Sequence, residues 1–305
     1  VDLIVGGPPC QAYSIAGRAQ DKNSMQDDYR NYLFESFIKV VEAFTPEMFV
    51  FENVPGMLSA APGGIPVTQR VEKAFKKAGY TIKKAENLKE AVFTASDLGV
   101  PQKRNRVIII GIKKGSDLNL NEVYKAIENQ ANLTNPKTVK DAIGKLPAFI
   151  PTDIPFKKDG RNISHVALKK KSKDVHHRPR YSNPRDVMVF RDWIGNNMNK
   201  SSSVDKIEFY NKLLNKSSNH AKYRNLEWDK PSPTIVAHLY KDGLMFIHPD
   251  KKQARSITVR EAALLQSFPK DYEFLGSQGY CYKMIGNAVP PQMAKTIALG
   301  ISSVL

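Results

Sequence analysis

Residues 1–14 read VDLIVGGPPCQAYS, an apolar pentapeptide followed by two glycines, two prolines and a cysteine. The pentapeptide has the composition of a short buried strand, and the glycines and prolines end it. A cysteine that only fills a core would sit inside such a strand, whereas Cys10 comes several residues after it. The sequence therefore predicts a thiol held beyond the carboxyl end of a strand, where open α/β sheets gather functional groups.

The rest of the first third alternates helical and strand patterns. Apolar residues recur at helical spacing over 28–44 and 67–79. The runs EMFVFENV (residues 47–54) and RVIIIG (residues 106–111) are apolar almost throughout, as in strands buried on both faces. This alternation predicts an α/β fold built on an open sheet.

The sequence changes character after residue 113. From 147 to 225 it is polar, basic and rich in turns, with only short helical segments, which predicts an inserted or second domain. Residues 231–249 predict two strands around a turn at 241–243. Thr258 and Glu261 have the spacing of a capping box that opens a helix, and a proline-initiated helix ends the chain.

The charge composition of the chain indicates the kind of molecule that it binds. The 305 residues carry a formal net charge of +16, and residues 151–225 hold 17 Lys and Arg against 7 Asp and Glu. A concentrated positive charge favours a polyanion partner, although a basic solvated face is the alternative.

The two cysteines, Cys10 and Cys281, exclude a disulfide framework. With no apolar run long enough to span a membrane, these features predict a soluble cytoplasmic protein, associated with the nucleoid in a prokaryote.

Reactive side chains follow or precede the predicted strands. Glu52 lies at the end of the second strand, and the segment GVPQKRNR (residues 99–106) brings Gln102, Arg104 and Arg106 to the start of the third. Together with Cys10 they offer a nucleophile, a carboxyl group and two guanidiniums at one sheet edge. His165, His176 and His177 lack the spacing of metal ligands and are interpreted as parts of a basic loop.

Five motifs occur in a fixed order: PPCQ, ENV, GVPQKRNR, TVREAALLQSFP and GNAVPP. In this order they resemble the motif set of the DNA (cytosine-5)-methyltransferases. The resemblance covers residues 1–112 and 231–305, and residues 113–230 stand where that family has its variable target-recognition region. It implies a Rossmann-like, S-adenosylmethionine-dependent methyltransferase sheet with a second, smaller target-recognition domain. The implied catalytic domain is 1–115 with 280–305, and the recognition domain is 116–279.

The resemblance also implies a reaction, the methylation of cytosine C5 in double-stranded DNA within a restriction-modification system. Cys10 resembles the nucleophile that adds to C6, Glu52 the acid that protonates N3, and Arg106 the residue that holds O2. Arg104 is expected to meet a phosphate, and Gln102 to support its loop.

S-adenosylmethionine is the implied methyl donor, with S-adenosylhomocysteine as product and no metal. The implied cofactor contacts are Pro9, Leu33, Asn287 and Ala288. The family's glycine-rich cofactor motif normally precedes the strand at residues 1–5 and is not in this sequence. We therefore expect a piece of a longer polypeptide, the downstream subunit of a split enzyme, or a degenerate remnant.

Reaching C5 requires that the cytosine be flipped out of the duplex. The residues expected to contact DNA are Gln11, Ser14, Arg18 and Thr234. The enzyme is expected to act as a monomer on DNA, with a cognate restriction endonuclease or an N-terminal subunit as further partners and no membrane. Two alternatives remain open at this point: a DNA-binding subunit without activity of its own, and a tRNA methyltransferase.

Overall fold

The computed structural model describes residues 1–8, 33–169 and 174–305. They form two compact units. The first comprises Val1–Leu98, Arg104–Asn135 and Lys295–Leu305, and the second Gly99–Lys103 and Pro136–Ala294. The functions assigned above to a catalytic and a recognition domain stay predictions.

A five-stranded mixed sheet forms the centre of the first unit. Its strands are β1 (Leu3–Gly6), β2 (Met48–Asn53), β3 (Tyr80–Thr81), β4 (Val92–Thr94) and β6 (Asn105–Lys113). The order is β1-β2-β6-β3, and β4 also pairs with β6. β1 and β2 are parallel, whereas β6 is antiparallel to its partners. The three predicted strands are confirmed, and the antiparallel β6 makes the sheet mixed.

Helices α1 (Phe34–Phe44), α2 (Val67–Lys77) and α3 (Leu120–Asn132) belong to this unit. α1 and α2 confirm the helical spacing in the sequence, within the described range. Their aromatic side chains meet the sheet: Phe49 and Phe75 stack with ring centroids 4.2 Å apart, and Phe37 contacts both edge-on. A Cβ at Gly111 would lie 2.1 Å from the Phe49 ring, so only glycine lets β6 pass this core.

The second unit contains β5 (Gln102–Lys103), α4 (Val139–Ile143), β7 (Phe149–Lys158), β8 (Arg161–Ala167), α5 (Pro184–Gly195), α6 (Ser203–Leu214), β9 (Ser232–Pro233), α7 (Val259–Leu265) and α8 (Gln278–Asn287); the last helix of the chain is α9 (Pro291–Ser302). β7 and β8 form an antiparallel hairpin, and β5 pairs with β9 in parallel. One apolar core surrounds Ile235 and Tyr282, and another surrounds Trp193.

Two helices of 12 residues, α5 and α6, lie in the region where only short helical segments were expected. Polar N-caps start both: the Asn183 side chain accepts from Asp186 N, and Ser202 forms a capping box with Asp205. Arg and Asp interrupt the apolar residues of α5, and Ser, Asp, Lys, Glu and Asn interrupt those of α6. The dominant polar composition therefore hid the helical period.

The strand pair predicted for residues 231–249 is wrong. Only Ser232–Pro233 is a strand, and a short 3-10 helix spans Ala237–Tyr240. Ile235 and Leu239 both enter the core, but their separation of four residues occurs on one face of a strand as well as of a helix. The apolar pattern alone therefore does not distinguish the two elements.

The predicted capping box at the start of α7 is confirmed. Thr258 Oγ1 accepts from the backbone N–H of Glu261, and Glu261 Oε2 accepts from that of Thr258 at 2.7 Å. Across the described ranges, no helix has the length and apolar composition needed to cross a membrane.

Candidate active site

Glu52 lies in β2, one residue beyond Phe51, which pairs with Gly6 of β1. The parallel register brings the chain after β1 to the Glu52 side chain. A Cβ placed on Gly7 would lie 2.7 Å from Glu52 Oε2, so the backbone passes directly over the carboxyl group. Cys10 follows Gly7 by three positions. It lies outside the described residues, as do the predicted site residues Pro9, Gln11, Ser14 and Arg18.

Arg106 forms an ion pair with Glu52 in which Nε and Oε1 are 2.6 Å apart. The exposed side-chain fractions are 12% for Arg106 and 18% for Glu52, so the pair is mostly shielded from water. Arg106 Nη1 also donates to the carbonyl of Asn105 at 2.7 Å. β2 and β6 are neighbouring strands, and their pairing fixes the two side chains against each other. The predicted neighbourhood of Glu52 and Arg106 is therefore present in the structure.

Burial raises the pKa of Glu52 above its usual value, although the charges of Arg106 and Arg104 act in the opposite direction. Removing a carboxylate from water disfavours its charged form. Glu52 thus combines a fixed orientation with a carboxyl group that takes up a proton more readily than a surface glutamate. That combination suits a general acid.

Arg104, which was expected to meet phosphate, is only 2% exposed. Its carbonyl accepts from Ala95 N at 2.8 Å, and its positive charge lowers the pKa of Glu52. In the described structure it belongs to the electrostatic surroundings of the carboxyl group, and the phosphate contact stays a prediction.

Gln102 is fully buried in the second unit, and its amide bonds to neighbouring protein groups. Oε1 accepts from Ile235 N at 2.9 Å, and Nε2 donates to Gln266 Oε1. Gln266 in turn donates to the carbonyl of Ala288 at 2.7 Å. Thr234 adds a bond from Oγ1 to the carbonyl of Lys103 at 2.8 Å. These contacts agree with a supporting role for Gln102.

Three residues expected near the cofactor lie in the described ranges. Leu33 is partly exposed just before α1, Asn287 ends α8 with an exposed side chain, and Ala288 is partly exposed directly after it. An exposed amide and an apolar side chain are suited to contacts with an amino-acid group and an adenine ring. In the ranges 1–8, 33–169 and 174–305, no group of three or more His, Cys, Asp or Glu side chains is arranged to hold a metal ion.

The interpretation of the histidines as a basic loop is wrong for two of them. His165 and His177 are buried, and each bonds through both ring nitrogens, His165 to Ser164 Oγ and the Gln253 carbonyl. Burial lowers the pKa of His165 to about 4. The flanking lysines and arginines concealed these core positions in the sequence.

Two contributors were missed in the sequence. Gly7 lies against Glu52, and its signal was the glycine pair directly after a strand. Gln266 joins Gln102 to Ala288, and its signal was a glutamine within the apolar run AALLQSF, where a buried amide needs partners.

Comparisons with known proteins agree with this geometry. The model of the family described as C-5 cytosine-specific DNA methylase matches residues 1–303. A Type II methyltransferase of Bacillus paralicheniformis, M.Bpa9945I, is 36% identical over 326 residues, which cover 100% of this chain and 71% of the relative. The Type II methyltransferase M1.HphI of Haemophilus parahaemolyticus is 32% identical, over 98% of this chain and 67% of its own.

Solved structures show the same fold. A candidate DNA modification methyltransferase encoded within an E. coli prophage superposes with a TM-score of 0.60 at 25% identity, covering 100% of this chain and 79% of that one. The S. pombe Dnmt2 methyltransferase, at 13% identity and a TM-score of 0.55, covers 99% and 77% and supports the fold alone. The predicted family and fold class are confirmed. The chain belongs to the C-5 cytosine-specific DNA methylases, S-adenosylmethionine-dependent enzymes that methylate DNA.

Proposed function

We propose that this chain methylates cytosine C5 through Cys10, Glu52 and Arg106, each in the role that its motif implies. The observation that carries the proposal is the Glu52 carboxyl group, held by Arg106 at 2.6 Å and passed by Gly7 three residues before Cys10. A protonatable acid beside the segment that bears the nucleophile is the pair that this reaction requires.

The thiolate of Cys10 adds to C6 of a flipped-out cytosine, and the ring electrons move toward N3. Glu52 donates a proton to N3, so the ring becomes an enamine whose C5 is nucleophilic. Arg106 holds Glu52 in place and donates to the cytosine O2. After C5 is methylated, loss of the C5 proton, departure of the Cys10 sulfur as a thiolate and return of the N3 proton to Glu52 restore the aromatic ring.

S-adenosylmethionine supplies the methyl group when bound. Pro9, Leu33, Asn287 and Ala288 are the residues of this chain that would hold it. The exposure of Leu33 and Asn287 supports this assignment, because neither side chain is consumed by packing.

The substrate is double-stranded DNA, recognised by residues 116–279, with a catalytic domain of 1–115 and 280–305. Gln11, Ser14 and Arg18 contact the DNA, Thr234 positions the strand, and Arg104 meets a phosphate. The basic composition of residues 151–225 supports DNA as the partner. A cognate restriction endonuclease is the expected companion, since the relatives are Type II methyltransferases.

Trapping on 5-fluorocytosine DNA tests the chemistry, because fluorine at C5 blocks the elimination that frees the enzyme. With S-adenosylmethionine present, we expect a covalent complex that survives denaturing electrophoresis. Cys10→Ala should abolish the complex while DNA binding persists. Cys281→Ala, at the other cysteine of the chain, should retain it. A complex that forms with Cys10→Ala, or none with the unaltered enzyme, would overturn the proposal and favour an inactive DNA-binding subunit.

A further inference from the structure

A cleft of about 550 Å³ opens within the second unit. The segment 224–234 supplies most of its wall, and Lys103 of β5 lies at its side. This volume is within the range of small-ligand sites in proteins. Thr234, the predicted DNA contact, is part of the lining, whereas none of the residues assigned to base chemistry is.

The lining is positively charged. Lys103, Arg224 and Lys230 contribute cations, and Glu227 contributes the carboxylate. Lys230 Nζ is 2.7 Å from Glu227 Oε2, so these two charges largely neutralise each other. In the described ranges, no carboxylate lies within ion-pair distance of Lys103 or Arg224. Two cations without a carboxylate partner among the described residues therefore face the cleft.

Arg224 is fixed and partly removed from water. Its backbone N–H donates to the Leu244 carbonyl at 2.9 Å, and its carbonyl accepts from Ile247 N at 3.1 Å. The guanidinium lies 5.8 Å from the centroid of the Phe246 ring, and its desolvation lowers the pKa of Arg224. A guanidinium stays charged at neutral pH, so an anion in the cleft would offset this desolvation.

Ser232 provides an independent indication of a ligand. It lines the cleft at 1% exposure, and within the described structure its Oγ has no hydrogen-bond partner. An unpaired buried hydroxyl costs about 1–3 kcal/mol. The pairing of β9 with β5 and the bond from Ser232 N to the Pro101 carbonyl at 2.9 Å hold the residue in place. A ligand oxygen would satisfy the hydroxyl group.

We propose that this cleft binds a backbone phosphate of the DNA, with Arg224 and Lys103 as its cations and Ser232 Oγ as a neutral donor. The assignment rests on the proposed function, because it takes DNA as the substrate. A phosphate accepts from all three donors, and its single negative charge offsets part of the charge of the two cations. The alternative occupant is a base edge, for which the buried and unpaired acceptor Asn225 Oδ1 would read an amino group.

Duplex binding at several salt concentrations tests the proposal. With the full chain and fluorescent duplexes of different sequence, we expect Arg224→Ala to weaken binding about tenfold on every duplex. The slope of log affinity against log salt should fall by about one. Lys103→Ala, at an exposed position, should act in the same direction, and Arg224→Lys should recover most of the loss. Arg191→Ala removes a charge from an exposed site on α5 and should stay within about twofold of the parent.

A base-reading cleft would behave differently, because Asn225→Ala would then relax the sequence preference in selection from random duplexes. That result, or an Arg224→Ala effect no larger than that of Arg191→Ala, overturns the phosphate assignment. The 5-fluorocytosine assay on the unaltered enzyme separates this failure from a failure of the proposed chemistry. A missing covalent complex with intact, Arg224-dependent DNA binding would refute the chemistry alone.

Discussion

Two glutamate–arginine pairs in this molecule have opposite electrostatic outcomes. Glu52 meets Arg106 through one contact at 2.6 Å, and burial raises its pKa. Glu261 meets Arg255 through two contacts at 2.7 Å and also accepts from Thr258 N at 2.7 Å. The Arg255 charge and hydrogen bonds hold the pKa of Glu261 well below its usual range, even though its burial is more complete.

The difference shows that the number of donors, and not burial alone, decides whether a buried carboxyl group stays charged. Desolvation opposes ionisation at both sites. At Glu261 a bidentate guanidinium and a backbone N–H overcome it, so this side chain fixes the start of α7. Among the described residues Glu52 has fewer donors, and it sits beside the chain that leads to Cys10. One pair is therefore suited to hold structure and the other to exchange a proton.

Glu52→Gln should produce the largest effect, a fall in kcat of about 100-fold to 10,000-fold, because an amide cannot protonate N3. Stability in urea should change little. Methylation kinetics with saturating DNA give the measurement, and Glu47→Gln, which removes a surface pair with Lys113, should leave kcat unchanged. A kcat within fivefold of the parent would remove Glu52 from the proton transfer.

Glu261→Gln should instead lower the free energy of unfolding by about 3–5 kcal/mol, because it leaves the Arg255 charge buried without its partner. Urea denaturation measures the loss. Glu227→Gln breaks an exposed ion pair and should cost less than about 1 kcal/mol. Equal losses from the two variants would show that the Glu261 pair stabilises the fold no more than an exposed pair does.

Acid should weaken the second unit through its buried histidines. Burial lowers the pKa of His165 and His248 to about 4, from 6.5. As the pH falls, these histidines take up protons in the unfolded chain before they do so in the folded one. The free energy of unfolding therefore falls between about pH 6.5 and about pH 4, by on the order of 3 kcal/mol for each residue. Around His248 the charged groups are Glu261, Arg255 and Asp250, with His177 also facing it.

Urea midpoints between pH 7.5 and pH 4.5 measure this loss. His220→Gln, at an exposed position, should leave the profile unchanged. A midpoint that does not move between pH 6.5 and pH 5 would show that the histidines are not held neutral.

Gly7→Ala should have the smallest effect, about a tenfold fall in kcat. The new methyl group would meet Glu52 Oε2 at 2.7 Å, and because that atom ends a flexible side chain, the carboxyl group moves aside at little cost in stability. Kinetics and thermal unfolding together make the test. Gly279→Ala, whose new Cβ has nothing closer than 3.9 Å, should change neither kcat nor the unfolding temperature. An unchanged kcat for Gly7→Ala would show that the carboxyl position tolerates displacement.

The sheet of the first unit was largely predictable because short-range patterns encode it. Apolar strands end directly in Glu52 and in the segment before Cys10, and parallel pairing of β1 with β2 follows from that pattern. The contact of Gly7 with the carboxyl group required the register between the strands. This register depends on how the two strands pair and cannot be derived from the sequence of either strand alone.

Long-range polar partners were not predictable. Arg255 lies among lysines and a glutamine, yet it is fully buried against Glu261. His165 lies in a basic stretch and is also buried. Local composition reflects the residues adjacent in the sequence. Burial of a side chain depends instead on residues from distant segments that pack against it. Polar cores of this kind therefore become visible only in three dimensions.

Gly286 has a practical consequence for exchanging parts between related enzymes. A Cβ at this position would lie 2.2 Å from Ala237 N and 2.4 Å from the Val236 carbonyl carbon, so α8 and the segment after Thr234 touch backbone to backbone. Residues 232–288 are best inherited from one parent, since a side chain at position 286 would push the two segments apart.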